Sequence, residues 1–221
     1  PNNPTGAIME KADLERLAPT IKKHNLIVFS DEIYGELTYD GAKFTSIASL
    51  DGMRERTIVI SGFSKYFAMT GWRLGYVCAP KEIIDVIFKI HQYSIMCAST
   101  AAQYVALEAL NASFEDNFKE VHLMRDEYDK RRKYVYERLS AMQLDCFKPR
   151  GAFYVFPSVK STNMDSEKFA YSLLDSKNVA VVPGGAFGES GKDYVRISYA
   201  YSLDVIKRAL DLIEEFVNER R

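Results

Sequence analysis

The sequence has few of the residues that build metal sites or disulfide frameworks. Its 221 residues include only three cysteines and three histidines, and Cys78, Cys97 and Cys146 form no Cys-x-x-Cys pair. An odd number of widely spaced cysteines indicates neither a disulfide framework nor a zinc site. The histidines also lack the spacing of metal ligands. We therefore expect a reduced protein without a metal centre.

Long apolar runs and an excess of charge of one sign are also missing. No apolar stretch reaches the roughly 18 residues that a membrane-spanning helix needs, and no signal peptide is recognisable. The 29 basic and 30 acidic residues give a net charge of −1, which provides no electrostatic footprint for nucleic acid or an anionic membrane. The hydrophobic content of 47% is sufficient for a sizeable core. These properties predict a cytoplasmic globular protein without nucleic-acid or membrane partners.

Short apolar runs and helical patterns alternate along the first half of the chain. Three runs fit buried parallel strands, namely Leu26–Phe29, Thr57–Ile60 and Leu74–Cys78. Three segments fit helices, namely Lys81–Met96, Thr100–Leu110 and Phe114–Leu139. Acid–base pairs four residues apart predict that the last is an exposed, stiff helix. An earlier helical pattern, from Leu14 to Ile21, contains Pro19, which should kink or interrupt it.

The second half carries a different mixture of elements. Three further strands are predicted at Ala152–Phe156, Val179–Val182 and Tyr194–Tyr199, with a helix around Phe169–Leu174. The last helix places Leu203, Ile206, Leu210, Ile213 and Phe216 on one face. The fold class is thus α/β. We expect two domains, a first over residues 1–113 and a smaller α+β domain over residues 114–221 that begins with the long linking helix.

Lys65 is the residue around which the candidate chemistry collects. It follows the strand Thr57–Ile60 within the run Ser-Gly-Phe-Ser-Lys, among small and apolar residues, and Arg73 follows it across Gly71. A desolvated lysine has a lowered pKa and is a candidate nucleophile. Asp31 ends another predicted strand, with Tyr34 three residues later. Since ligands of open α/β sheets bind at the carboxyl ends of the strands, Asp31 and Lys65 are expected to face one crevice.

With these residues, the sequence resembles the pyridoxal-phosphate-dependent aminotransferases of class I, which have the fold-type-I architecture. Six runs carry the resemblance, in the order and at spacings compatible with the family: Asn2–Gly6, Ser30–Tyr34, Ser61–Lys65, Met69–Tyr76, Gly151–Tyr154 and Val195–Ala200. It covers essentially the whole chain and is greatest for the branch that acts on aromatic amino acids or aspartate. It implies that residues 1–113 are the C-terminal part of the large, cofactor-binding domain.

The resemblance implies a role for each residue that contacts the cofactor, pyridoxal 5'-phosphate. Lys65 forms the Schiff base and then moves the substrate proton. Asp31 pairs with the pyridinium nitrogen and favours its protonated form, which is the better electron sink. A helix N-cap at Asp31 is the alternative interpretation. Tyr34 and Asn3 hydrogen-bond the phenolic oxygen of the cofactor.

The same resemblance assigns the anion contacts. Arg73 grips the phosphate as a bidentate fork, and Arg196 clamps the substrate α-carboxylate, with Asn3 beside it. Ser64 is the hydroxyl candidate for the phosphate, because many members carry serine where this chain has Gly62; the role of Ser61 is left open. The glycine-rich run Gly184–Gly188 lacks a nucleotide-binding pattern and is interpreted as a turn or a loop near the substrate.

The expected reaction is amino-group transfer between an L-amino acid, aromatic or aspartate-like, and a 2-oxo acid. A lyase on the same scaffold is one alternative, because it shares Lys65, Asp31 and Arg196. The chain opens on a dense turn motif and lacks the N-terminal portion of family members, so we expect a C-terminal fragment. A non-catalytic fragment is therefore the second alternative. A homodimer is implied for the full-length protein by the resemblance alone.

Overall fold

The computed structural model describes residues 1–220 and divides into two compact units. Met9–Arg125 forms the first, here called the lysine unit because it contains Lys65. Pro1–Ile8 joins the chain from Asp126 onward in the second, here called the arginine unit because it contains Arg196. The predicted domain boundary near residue 113 remains a prediction.

The lysine unit is built on a three-stranded sheet in the order β1 (Val28–Asp31), β2 (Thr57–Gly62) and β3 (Gly75–Cys78). Its helices are α1 (Lys11–Lys23), α2 (Lys81–Ile95) and α3 (Thr100–Glu115). Helix α1 buries Leu14 and Ala18 against Ile47 and Met53. Helix α3 buries Ala102 and Ala106 against the loop that follows β2. These contacts fix the loop that carries Lys65.

Two expectations for these strands are wrong. β1 is parallel to β2 as predicted, but β3 is antiparallel to β2, because the chain returns from β2 through one loop that brings Gly62 opposite Gly75. β1 is also not buried on both faces: the Phe29 side chain is 71% exposed, and Leu26 and Ile27 lie exposed before the strand. An apolar run alone determines neither the direction of strand pairing nor which face is covered.

Two expectations for the helices are also corrected. Pro19 does not interrupt α1, because it lies on the exposed side, where its missing amide removes one hydrogen bond and displaces no buried contact. The long helix α4 (Lys119–Ala141) does not begin at Phe114, which belongs to α3. Asn117 and Phe118 both have a φ of 57°, and two left-handed residues in succession break the helical path.

Helix α4 is not exposed on all sides either. The predicted pair Asp129–Lys133 is present, with 2.7 Å between the carboxylate oxygen and the amine. On the opposite side, however, Arg132, Val135 and Leu139 are buried. The helix therefore contributes directly to the core of the arginine unit.

The arginine unit contains a second sheet in the order β4 (Tyr154–Val155), β6 (Val195–Ser198) and β5 (Val182–Pro183), antiparallel at both pairings. Helices α5 (Ser166–Lys177) and α6 (Leu203–Asn218) complete it. The predicted face of α6 is confirmed for Ile206, Leu210, Ile213 and Phe216, whereas Leu203 is exposed. The sheet places Arg196 at the centre of its middle strand.

Two kinds of feature are absent from the part of the chain that the structure describes. Across residues 1–220, every helix is too short or too polar to cross a membrane. In the same residues, no group of three or more His, Cys, Asp or Glu side chains is arranged to hold a metal ion.

Candidate active site

Lys65 lies on a loop that returns the chain from β2 to β3. Phe63 donates its amide to the Leu74 carbonyl at 3.3 Å, and its own carbonyl accepts the amides of Phe67 and Met69 at 3.3 and 3.4 Å. The Phe63 and Met69 side chains are buried against α3. The loop is therefore anchored at both ends, and the Lys65 side chain between them is only partly buried.

Tyr34 is the predicted site residue that lies against Lys65. The Lys65 Nζ atom is 5.9 Å from the centroid of the Tyr34 ring, a cation–π arrangement, and the ring is buried. Both side chains lie beyond the carboxyl ends of β1 and β2. The predicted proximity of Lys65 and Tyr34 is therefore a feature of this fold.

Asp31 is the last residue of β1 and lies opposite Ile60 of β2. Its Oδ1 atom accepts the Ile33 amide at 3.2 Å, and the chain then forms a turn rather than a helix. The alternative interpretation of Asp31 as a helix N-cap is therefore wrong, although the side chain does cap the turn. The Asp31 side chain is exposed at the end of the sheet.

Arg73 and Ser64 are the predicted phosphate contacts in the same unit. Arg73 has a left-handed backbone, with φ 54°, and its Nη1 atom donates to the Thr70 carbonyl at 2.8 Å. In the described chain, the remaining donors of this exposed guanidinium have no protein acceptor. The Ser61 hydroxyl is buried and directed to the Glu32 carbonyl at 3.4 Å. Ser64, half-buried, is thus the serine whose hydroxyl is less committed to the protein.

Arg196 and Asn3 come together in the arginine unit. The Arg196 Nη1 atom donates to the Asn3 Oδ1 atom at 2.8 Å. The guanidinium carbon lies 4.6 Å from the Tyr154 ring centroid and 5.2 Å from that of Phe187. The Arg196 Nε atom is buried and has no acceptor among residues 1–220. A buried charged donor without an acceptor is costly, so this nitrogen is a candidate donor to an anion.

The predicted residues thus form two groups. Lys65, Asp31, Tyr34, Ser64 and Arg73 belong to the lysine unit, whereas Asn3 and Arg196 belong to the arginine unit.

Comparison with known proteins identifies the family. The model of the family "Aminotransferase class I and II" matches residues 1–213. The chain belongs to this family. The resemblance inferred from the six sequence runs is confirmed.

Individual relatives agree with that assignment. An aspartate aminotransferase of Pyrococcus abyssi is 50% identical over 221 residues, which is 100% of this chain and 56% of the relative. An aromatic-amino-acid aminotransferase of Thermococcus litoralis is 46% identical over the same length and is also covered to 56%. The chain therefore spans about half the length of the curated relatives it matches.

Solved structures confirm the fold class. The aromatic aminotransferase from Pyrococcus horikoshii matches with a TM-score of 0.95 and 50% identity, over 100% of this chain and 58% of that one. The aspartate aminotransferase from Thermotoga maritima matches with a TM-score of 0.89 and 39% identity, over 99% and 55%. The α/β architecture is thus part of the fold-type-I arrangement, as predicted.

Sequence reasoning gave no role to two side chains of the arginine unit, Tyr154 and Phe187. Both rings lie over the Arg196 guanidinium, and the Tyr154 ring is buried. The signal was present, because Tyr154 ends one of the six runs and Phe187 lies in the glycine-rich segment. That segment forms a short 3-10 helix, Gly184–Phe187, in line with the predicted turn.

Tyr66 is a second residue that the sequence did not single out. Its hydroxyl is 3.3 Å from that of Tyr76, which lies directly opposite Ser61 in the pairing of β2 with β3. Burial and the neighbouring Tyr76 hydroxyl raise the pKa of Tyr66, while the Ser61 hydroxyl opposes the shift. The residue after Lys65 is thereby tied to the sheet.

Proposed function

We propose that this protein transfers an amino group between an L-amino acid, aromatic or aspartate-like, and a 2-oxo acid, with pyridoxal phosphate held at Lys65. The observation that carries the proposal is the buried Nε–H of Arg196, which has no acceptor in the described chain, on a guanidinium fixed by Asn3. Both substrates of such a transfer carry a carboxylate next to the reacting carbon. A planar cation with free donors matches that planar anion.

The residues of the lysine unit fit the cofactor by the chemistry of their donors. An amine, Lys65, lies beside an aromatic ring, and a carboxylate, Asp31, ends a neighbouring strand. An arginine with unused donors, Arg73, follows on the same loop. Those are the groups that an aldehyde, a pyridine nitrogen and a phosphate require. When bound, pyridoxal phosphate supplies an electron sink for the carbanion formed at the substrate Cα.

Each residue then has a defined task. Lys65 would hold the cofactor, and its amine would act as the general base and acid that removes a proton from the substrate Cα and later delivers one. Asp31 would favour positive charge on the ring nitrogen by its own negative charge. Arg73 and Ser64 would hold the phosphate, and Tyr34 and Asn3 would donate to the phenolic oxygen. Arg196 would bind the α-carboxylate of the substrate through its planar fork.

The choice of substrate class rests on the relatives. The protein of Pyrococcus abyssi is named an aspartate aminotransferase, and that of Thermococcus litoralis an aromatic-amino-acid aminotransferase. Both are matched over the whole of this chain. A homodimer, as the resemblance implies, and a cytoplasmic location, as the composition predicts, are part of the same proposal.

The test is a transfer assay with product analysis. The protein is incubated with pyridoxal phosphate, 2-oxoglutarate and either L-aspartate or L-phenylalanine, and glutamate and the new 2-oxo acid are quantified. Equal amounts of the two products are expected, together with cofactor fixed on Lys65 after borohydride reduction. Ammonia and pyruvate from a β-substituted amino acid would instead favour the lyase. Absence of both transfer and trapped cofactor would contradict catalysis by this chain.

A further inference from the structure

Arg132 is the most deeply buried charge of the arginine unit. Its side chain is 0% exposed, although it lies on α4 among charged neighbours. Its Nε and Nη2 atoms contact the Asp129 Oδ1 atom at 2.7 and 2.6 Å, and its Nη1 atom donates to the Pro149 carbonyl at 2.7 Å. Replacing a buried ion pair with apolar residues is often neutral for stability, so stability alone gives no reason for this arginine.

The segment that Arg132 holds is the docking surface of the N-terminal turn. The amides of Arg150 and Gly151 both donate to the Gly6 carbonyl at 2.9 Å. The turn packs closely against this segment. A Cβ atom on Gly6 would lie 2.4 Å from the Pro149 Cβ atom, and one on Gly151 would lie 2.5 Å from the Pro1 Cβ atom. A displacement of Pro149 must therefore move the turn.

The turn itself is stiff. Asn2 donates its amide to the Ala7 carbonyl at 2.8 Å and accepts the Gly6 amide on its own carbonyl at 2.9 Å. Its side-chain oxygen accepts the Thr5 hydroxyl at 2.8 Å. Asn3 lies inside this turn, and its side chain accepts from Arg196. The turn therefore moves as one body and carries Asn3 with it.

We propose that Arg132 is a positioning residue for the carboxylate site: by holding the Pro149 carbonyl, it fixes the docked turn and thereby sets Asn3 against Arg196. The proposal rests on the proposed function only in taking Arg196 as the carboxylate-binding residue. Arg132 touches neither substrate nor cofactor, and its effect is transmitted through Pro149, Gly6 and Asn3.

The test measures binding rather than turnover. The protein is titrated calorimetrically with 3-phenylpropanoate, a carboxylate that cannot donate an amino group, and with the uncharged 3-phenylpropanamide as the ligand control. In Arg132→Lys, one amine cannot serve both Asp129 and the Pro149 carbonyl. We expect the carboxylate to bind about twofold to thirtyfold more weakly, the range for substitutions that act through intervening residues. Binding of the amide should not change.

Arg138→Lys is the matched control for this variant. Arg138 is another arginine of α4 with two carboxylate partners, Asp211 and Glu214, at 2.8 and 3.0 Å. Its replacement should lower the thermal midpoint without changing the affinity for 3-phenylpropanoate. Should Arg132→Lys lose stability but bind the carboxylate as the parent does, its role is structural and the proposal is wrong.

A second variant serves if Arg132→Lys does not fold. Gly6→Ala leaves the buried ion pair intact but forces the turn away from Pro149, and it should weaken carboxylate binding to a similar extent. Its control is Gly41→Ala, because Gly41 has a comparable φ of +73° but open space around its Cβ position. Unchanged affinity in Gly6→Ala overturns the proposal.

A double variant tests whether the effect of Arg132 on carboxylate binding is transmitted through Asn3. If Arg132 acts through Asn3, then Arg132→Lys should add no further loss of affinity in an Asn3→Ala background. Full additivity contradicts the proposed route. If the parent binds no carboxylate, the site and this proposal both fail, whereas intact binding without amino transfer contradicts the proposed function alone.

Discussion

Arg196 and Asn3 are 193 residues apart in sequence and are joined by a hydrogen bond of 2.8 Å. The asparagine oxygen occupies one donor of the guanidinium, while the buried Nε donor has no acceptor in residues 1–220. The arginine is thus held by the protein on one side and left with donor capacity on another. A fixed cation with donor capacity to spare is what the proposed carboxylate site requires.

Replacement of Arg196 by lysine should weaken substrate binding far more than it changes stability. A single ammonium group cannot reproduce the two parallel hydrogen bonds of the fork, so we expect KM for the amino acid to rise by about 10- to 100-fold. Steady-state kinetics with both substrates measures this. Arg208→Lys, at an exposed position of α6, is the control and should leave KM unchanged. Equal KM values in Arg196→Lys and the parent would show that Arg196 does not bind the substrate.

Replacement of Lys65 by arginine should abolish transfer while preserving the fold. Arginine keeps the positive charge but does not give up its proton near neutral pH, so it can neither form the covalent bond nor move the Cα proton. We expect a loss of at least about 10²- to 10⁴-fold, the contribution of general acid–base catalysis alone. Borohydride reduction followed by peptide mapping provides an independent measurement, and cofactor trapped on another lysine would contradict the assignment.

Gly62→Ala tests the geometry at the start of the lysine loop. A Cβ atom there would lie 2.8 Å from the Gly75 Cα atom and 3.0 Å from the Leu74 carbonyl oxygen. Because these are backbone atoms, the strands must separate, and we expect a loss of about 1–3 kcal/mol in the free energy of unfolding. Urea denaturation measures it. Gly71→Ala is the matched control, since its Cβ would meet no atom within 4 Å, and a similar loss in both variants would contradict the packing explanation.

The three cysteines should differ in reactivity. Burial raises the pKa of the Cys146 thiol to about 11, although a backbone hydrogen bond from Phe156 opposes the shift. Cys78 and Cys97 are exposed. Since the thiolate is the reactive form, iodoacetamide at pH 9 should modify Cys146 roughly 50-fold more slowly than an unperturbed thiol.

Mass spectrometry of timed samples measures the three rates. In urea the rates should converge, because unfolding removes the burial that raises the pKa. Folded protein in which Cys146 reacts as fast as the other two would show that the thiol is not shielded.

The raised pKa of Cys146 also makes the free energy of unfolding depend on pH. A folded-state pKa above the unfolded value means that the native state holds its proton more tightly. The contribution of Cys146 to the free energy of unfolding is fully present below the unfolded-state pKa, near 9, and is lost as the pH rises through the folded-state pKa of about 11. Cys146→Ser should therefore flatten the decline in the unfolding free energy between these values. An unchanged slope would contradict this explanation.

The sequence was most informative where chemistry is tied to local motifs. Lys65, Tyr34 and Asn3 were found from short runs, and the structure places Lys65 against Tyr34 and Asn3 against Arg196. The apolar face of α6 also followed from its period. Such features depend on neighbours in sequence, which is the information that pattern reasoning uses.

What escaped prediction depends on distant neighbours. The direction of β3 is set by the loop that returns from β2, and the exposure of Phe29 depends on what covers the sheet. Arg132 lies in a charged helical pattern that is typical of a solvated face. Its guanidinium is nevertheless buried, and its Nη1 atom donates to the carbonyl of Pro149, 17 residues away. A local pattern contains none of these partners.

The docking of Gly6 against Pro149, Arg150 and Gly151 also constrains when this unit can assemble. The first eight residues leave the ribosome long before the segment that accepts their hydrogen bonds, and β6 follows later still. Contacts across such separations carry a high loop-closure entropy and form slowly. The turn that holds Asn3 must therefore wait for its partners until the residues up to Gly151 have been synthesised. The proposed carboxylate site is therefore completed only after Arg196 has been synthesised.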